Sequence, residues 1–596
     1  MHLKLFIVSI LFSASAFSAT NYQTKLQQWE RSPGPLAKKL ERLYNLQWDY
    51  QMNNYPEWAT FSGYPGLNDK LTDMSFEAIE QRKKDTVALD KAISKISEKE
   101  LKGEDLISFQ IFKRSVKESV EGQAFPSEYL ALNQMSGIQT EFADLFVDAP
   151  KRNFKDYQDQ LARLKLAPKK IEQVHALLKK GLEQKITPPK VVLQPVPKQF
   201  DAVTNPDLDK NPIYTAFREI KGPLTDEQKK EVQNTAAKII REEIIPAYKK
   251  LQTFINQEYL PGCRENVAWS SLPNGQAWYQ FLAKVHTTTD MPVDEIHNLG
   301  LTEVARLRAE MEKIKNQVNF KGSLAKFDQF LKEDNRFYYT NANDLMLGYR
   351  DLAKRIDPEL PRFFGTLPRL PYGVREMPAY KAPASPTAYY MGGNLENGQA
   401  GNFEANTYDL KARPKWQMEA LTLHEAVPGH HLQISLGQEI KGLPKFRTEG
   451  GHTVFVEGWG LYAEGLGDDL GLYKDPYSKY GQYTMEIWRA IRLVVDTGLH
   501  SKGWTRDQVM QYFRDNGPFT EQQIINETDR YIADPGQALA YKIGQLKFLQ
   551  LREEAKKALG EKFDIRKFHD EVLGSGSLPV GILEAKVHRW MKTVSM

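Results

Sequence analysis

The chain has 596 residues, 26% of them charged and 41% hydrophobic, with a formal net charge of +4 and a single cysteine. This is the profile of a soluble globular protein with a large core, and it excludes disordered, fibrous and disulfide-stapled classes. A charge so close to zero on so long a chain also argues against nucleic-acid binding.

The first residues, "MHLKLFIVSILFSASAFSA", set Lys4 before a short apolar run and then small residues. That pattern predicts a secretory signal peptide over 1–19, cut after Ala16, Ser18 or Ala19, and the run is too short to span a bilayer. No cysteine lies near the cleavage region, so the expected product is a periplasmic or secreted protein without lipid attachment and with no membrane span. Residues 20–596 read as one helical domain, with an N-terminal lobe over 20–200 and a second lobe over 213–596.

Helical periodicity dominates. In "LAKKLERLYNLQWDYQMNN" (36–54), Leu40, Leu43, Tyr44, Trp48 and Met52 share a face. Similar segments are expected near 76–101, 103–122, 154–183, 225–257 and 292–317. Proline-rich 185–212 reads as an extended crossing between lobes. The stretch 366–410 is rich in Pro, Gly, Tyr and Asn, with strand-like pieces at 387–390 and 402–407. Strong helical periodicity returns after Lys415, so the expected architecture is mainly α, with a small β-sheet beside the helix described next.

"WQMEALTLHEAV" (416–427) is expected to be helical and ends on His424-Glu425. In a His-Glu-x-x-His zinc helix, the histidine binds the metal while the glutamate addresses the water beside it. Here Pro428 takes the place of the second histidine, which predicts a kink or bulge, loosened by Gly429. Two residues inserted through that bulge would bring His430 to the ligand position. His431 is the rival, but on an unbroken helix it stands about 10.5 Å further along the axis than His424. A third ligand is sought in "TVFVEGWGLYAEGLG" (453–467), where Glu457 and Glu464 lie roughly on one face. Burying them among Phe455, Trp459, Leu461 and Tyr462 is expensive unless a cation relieves the cost. Glu457 ranks first, with Glu464 as the reserve or as an orienter of a histidine ligand. Five of the eleven histidines fall within 424–500, where even scatter would place about one or two.

Further along, Arg492, Asp496 and His500 form an i, i+4, i+8 stripe among apolar residues. A buried Asp496 could orient His500 to donate to an oxyanion, whereas on an exposed helix the same stripe would be an ordinary charged face. "PTAYYMGG" and "NFEANTYDL" would suit an edge strand receiving an extended peptide, with Tyr390 and Asn406 at hand; the plain alternative is a hairpin that supports the helix. His569 reads as a helix-surface histidine.

"HEAVPGHHLQ", "FVEGWGLYAE", "RAIRLVVDTGLHSKGWTRDQ" and "RYIADPGQALAYKIGQLKFLQLREEAKKALG" resemble the bacterial domain-of-unknown-function family 885, which is grouped with gluzincin (thermolysin-like) zinc metallopeptidases. The resemblance covers nearly all of the chain beyond the signal segment. It implies a mainly helical, metallopeptidase-like body with a deep cleft and one Zn2+ held by His424, His430 and Glu457. Glu425 would then be general base, and a C-terminal tyrosine, Tyr531 or Tyr541, would aid the transition state beside Gln537. The expected activity is hydrolysis of short peptides. Two other readings use the same residues: an amidase acting on cell-wall fragments or modified amino acids, and a binding protein without turnover. The oligomeric state is not written in the sequence.

Overall fold

The computed structural model describes residues 19–378, 382, 385–394 and 398–595. The signal peptide expected at 1–19 lies, apart from its last residue, outside them. The described chain is mainly helical, with one three-stranded sheet ordered β1-β3-β2: β1 (Tyr372–Glu376) runs parallel to β3 (Gly401–Ala405), and β2 (Ala388–Met391) runs antiparallel to it. Among the described residues, no helix is long and apolar enough to cross a membrane.

The helix expected at 36–54 occupies Leu36–Asn54 and buries the five residues of the predicted face. The run 154–183 divides into Phe154–Leu164 and Ala167–Glu183, the second helix carrying Pro168 in its first turn, where a missing amide costs no hydrogen bond. The same tolerance accounts for 185–212, which is not an extended crossing: it holds short helices at Lys190–Leu193 and Val196–Val203, with Pro197 in the first turn of the latter. These pack into a core built from Leu132 to Cys263.

The C-terminal half carries the site. A 25-residue helix, Pro476–His500, packs along Val293–Gln317. Helix Thr453–Gly465 packs on Leu539–Leu559 through glycines. A Cβ on Gly458 would stand 2.5 Å from Gly544 Cα, and one on Gly544 would stand 1.9 Å from the Val454 carbonyl oxygen. Only glycine permits that backbone approach, and it brings the neighbours Glu457 and Tyr541 to the same interface.

Candidate metal centre

The His-Glu helix occupies Met418–Glu425, two residues shorter than expected at its end. Ala426 leaves helical geometry, Val427–Pro428 is a cis peptide bond, and a new helix, His430–Glu439, starts directly after Gly429. The break is thus a full stop and restart, not a kink. The His431 amide donates to the Ala426 carbonyl at 3.1 Å, a five-residue step that accommodates the inserted residues. Gly429 passes so close to the helix end that a Cβ there would sit 2.0 Å from the His424 carbonyl oxygen. Trp459 pins the insertion by donating from Nε1 to the Pro428 carbonyl at 2.8 Å.

This restart turns His430 back towards His424, their ring centroids 4.6 Å apart and nearly perpendicular. Glu457 Oε2 lies 3.5 Å from His424 Nε2 and 3.6 Å from His430 Nε2, and the three ligand atoms all fall within 4.8 Å of one another. Separations of this size are long for hydrogen bonds. The two carboxylate–imidazole separations, 3.5 and 3.6 Å, are close to the edge of a tetrahedron whose centre makes bonds of about 2.0–2.1 Å, an edge of about 3.3 Å.

Glu464 has a different task. It is fully buried, and its Oε1 accepts from His424 Nδ1 at 2.8 Å. With the proton held on Nδ1, the Nε2 lone pair faces the cluster, the arrangement in which a carboxylate fixes a ligand's tautomer. Arg489 Nη2 stands 3.8 Å from the same carboxylate oxygen and balances its charge. The imidazole lies over Gly460, between Glu457 and Glu464 on one helical face; a Cβ at 460 would come within 2.7 Å of His424 Cε1. Burial pulls the His424 pKa down, but the Glu457 and Glu464 carboxylates, helped by Glu425, reverse this and lift it to about 9. Burial would raise Glu457, yet the two imidazoles hold it well below the usual carboxylate range. Oxygen and two imidazole nitrogens are a donor set suited to zinc.

His431 goes elsewhere. Its Nδ1 meets the Tyr390 hydroxyl at 2.9 Å and the Ser435 hydroxyl at 3.3 Å, its ring lies against Tyr372, and burial lowers its pKa to about 4. The rival ligand is therefore a neutral strut between the restarted helix and the sheet. Tyr390 is the other half of that strut. Asn406 is likewise structural: its amide donates to the carbonyls of Ala382, Ser385 and Pro386.

Glu425 is buried at the helix end, and among the described residues no hydrogen bond ties down its carboxylate. Tyr541 reaches the neighbourhood from the Leu539–Leu559 helix. Burial and the charge of Glu457 raise its pKa, while Arg492, Arg530 and a hydrogen bond with Gln537 act the other way. Gln537 accepts from Arg530 Nη1 at 2.8 Å. The structure therefore collects Tyr541, Gln537 and Arg492, and adds Arg530, which nothing in its local sequence marks out.

The remaining candidates are committed elsewhere. His500 is fully buried, its Nδ1 facing the Trp269 amide at 3.4 Å and its Nε2 the Tyr531 carbonyl at 2.8 Å; burial lowers its pKa to about 3. No Asp496–His500 bond forms. Asp496 instead accepts from the Tyr279 hydroxyl at 2.5 Å and from the Gly536 amide, and burial lifts its carboxyl to about 7. Two residues one turn apart on a buried helix meet different neighbours, which spacing does not disclose. Tyr531 is buried, its hydroxyl donating to Glu527 and accepting from Arg492. His569 is no surface histidine: it is buried, bonded to the Tyr462 hydroxyl and the Phe363 carbonyl.

A cavity of about 1340 Å³ lies among Trp48, Trp58, Arg82, Phe142, Trp278 and Phe446, and none of His424, Glu425, His430 or Glu457 lines it. The cleft expected beside the His-Glu helix is not this cavity.

Fold and site together define a mainly helical protein with a cluster of two histidines and one carboxylate on a broken helix. The chain belongs to the family described as "Bacterial protein of unknown function (DUF885)", whose model matches residues 56–587. It is similar to the crystal structure of a "putative lipoprotein" from Colwellia psychrerythraea, at 27% identity and a TM-score of 0.85, over 97% of this chain and 100% of that one. The structure of a "putative lipoprotein of unknown function" from Shewanella oneidensis matches at 17% identity and a TM-score of 0.71, over 95% and 99% of the two chains, a likeness of fold alone. Comparison with curated proteins returns no match.

Proposed function

We propose that this protein is an exported zinc-dependent hydrolase that cleaves short peptides. The observation that carries the reading is the spacing of His424, His430 and Glu457, 3.5 and 3.6 Å between ligand atoms, on a helix that stops and restarts to create it. Zinc bound there would acidify water and polarise a carbonyl oxygen. His424 presents Nε2 because Glu464 holds the proton on Nδ1. Glu425, untethered at the end of the same helix, would take the proton of the attacking water and pass it to the leaving amine. Tyr541 would donate its hydroxyl proton in a hydrogen bond to the developing oxyanion, and the nearby guanidinium charges favour that role. Export is supported by the N-terminal segment and by the description of the Colwellia relative as a "putative lipoprotein".

The test is metal content and turnover of the purified protein. One zinc per chain is expected, and Glu425→Gln should keep that zinc while losing about 10²–10⁴-fold in kcat on a peptide substrate. A protein that takes up no zinc, or a variant that cleaves as fast as the parent, overturns the reading. Running muropeptides beside the peptides separates a peptidase from a cell-wall amidase.

A further inference from the structure

Beside Tyr541 the fold buries more positive than negative charge. Arg492, 6% exposed, donates from Nε to the Tyr531 hydroxyl at 2.9 Å and from Nη2 to Glu527 at 3.2 Å. Its Nη1 is buried with no partner, and its guanidinium lies over the Tyr541 ring, 4.4 Å from the centroid. Arg530 grips the same Glu527 at 2.9 Å and Gln537 at 2.8 Å, and its side chain keeps 21% of its exposure. One carboxylate thus serves two guanidiniums, so these three groups carry a net charge of +1 and leave an unmet N–H donor. A buried donor without an acceptor is costly. A planar monoanion with two acceptor oxygens is what a guanidinium fork matches best. Tyr541 lies on the helix whose Gly544 packs directly on Gly458, the neighbour of Glu457, and so places this group beside the candidate metal centre.

We infer that Arg492 and Arg530 form a carboxylate-binding subsite that anchors a peptide by a carboxylate while its scissile amide lies at the metal. The inference rests on the proposed hydrolase reading and narrows its substrates to acid-bearing short peptides. A chain-terminal carboxylate and an acidic side chain offer the same chemistry, and the experiment separates them.

Binding of three probes to the full-length Glu425→Gln protein is measured by calorimetry: Ala-Ala-Phe, its C-terminal amide, and Ala-Ala-Glu amide. The free acid should bind about 30-fold or more tightly than Ala-Ala-Phe amide, the worth of one charge-assisted hydrogen bond. Adding Arg530→Gln should collapse that ratio to below about 3-fold. Arg530 is the first choice because its side chain is 21% exposed, against 7% for Arg492; Arg492→Gln is the second, checked for native circular dichroism. If Ala-Ala-Glu amide matches the free acid, the subsite stands and takes an acidic side chain. Equal binding of all three probes, or a preference that survives Arg530→Gln, overturns it. Failure of zinc-loaded parent protein to cleave any peptide sinks the hydrolase reading separately, because the binding ratio does not depend on turnover.

Discussion

Gly460→Ala tests whether His424 is a metal ligand held in place by its surroundings. The new methyl carbon would stand 2.7 Å from His424 Cε1 and 3.0 Å from both ring nitrogens. Ordinary carbon–carbon contact begins at about 3.5 Å, so the imidazole must retreat by about 0.8 Å. It cannot retreat freely, because Nδ1 is tied to Glu464 at 2.8 Å and the ring is 3% exposed. Metal–ligand distances tolerate only about 0.2 Å. A displacement several times larger should weaken zinc binding at least as much as losing an outer-shell partner, about 100-fold. Folding should suffer less, since overpacking costs about 1–3 kcal/mol and alanine returns up to about 1 kcal/mol of helix propensity. Zinc affinity is read by competition with a chromogenic chelator, and folding by thermal denaturation. Gly465→Ala is the control, at the end of the same helix, where a Cβ meets nothing within 4 Å. A folded Gly460→Ala protein with parental zinc affinity would refute the assignment of His424.

Glu464→Gln keeps the shape but removes the charge that secures the His424 tautomer, and zinc affinity should fall about 10–100-fold; the same chelator competition checks it, and unchanged affinity would reduce Glu464 to packing. His431→Phe should leave zinc content at the parental level by elemental analysis while costing about 0.5–1.5 kcal/mol in urea unfolding, because the Tyr390 hydroxyl loses its bond to His431 and keeps those to Ser435 and Gly393; loss of the metal would restore His431 as a ligand. Asp496 has its carboxyl lifted to about 7 by burial, above its unfolded value of about 3.9. Its raised pKa contributes stability that is complete below about pH 3.9 and is lost as pH rises through about 7, on the order of 4 kcal/mol in all. Asp496→Asn should therefore flatten the stability decline between pH 4 and 7, and melting curves of the two proteins that stay parallel across that window would contradict the sign.

Much of this protein is legible in local pattern. The helix at 36–54 was expected to the residue, because five apolar side chains at three- and four-residue steps leave one way to bury them. Glu457 and Glu464 stand out for a similar reason, being acidic residues on an otherwise apolar helix, whereas the packing of the His424 ring over Gly460 between them is shown only by the structure. Pro428 and Gly429 marked the break in the His-Glu helix. What local pattern does not hold is direction. His430 and His431 are adjacent and chemically identical, and only the restart after Gly429 sends one to Glu457 and the other to Tyr390. Arg492, Asp496 and His500 are evenly spaced on one stripe, yet they reach Tyr531 and Glu527, Gly536, and the Trp269 amide respectively. Arg530 joins the site from a separate helix, where it shares Glu527 with Arg492. Periodicity is a property of one helix and is written in the order of its residues. The partner each side chain meets depends on which other helices pack against it, and that is decided only when the whole core closes.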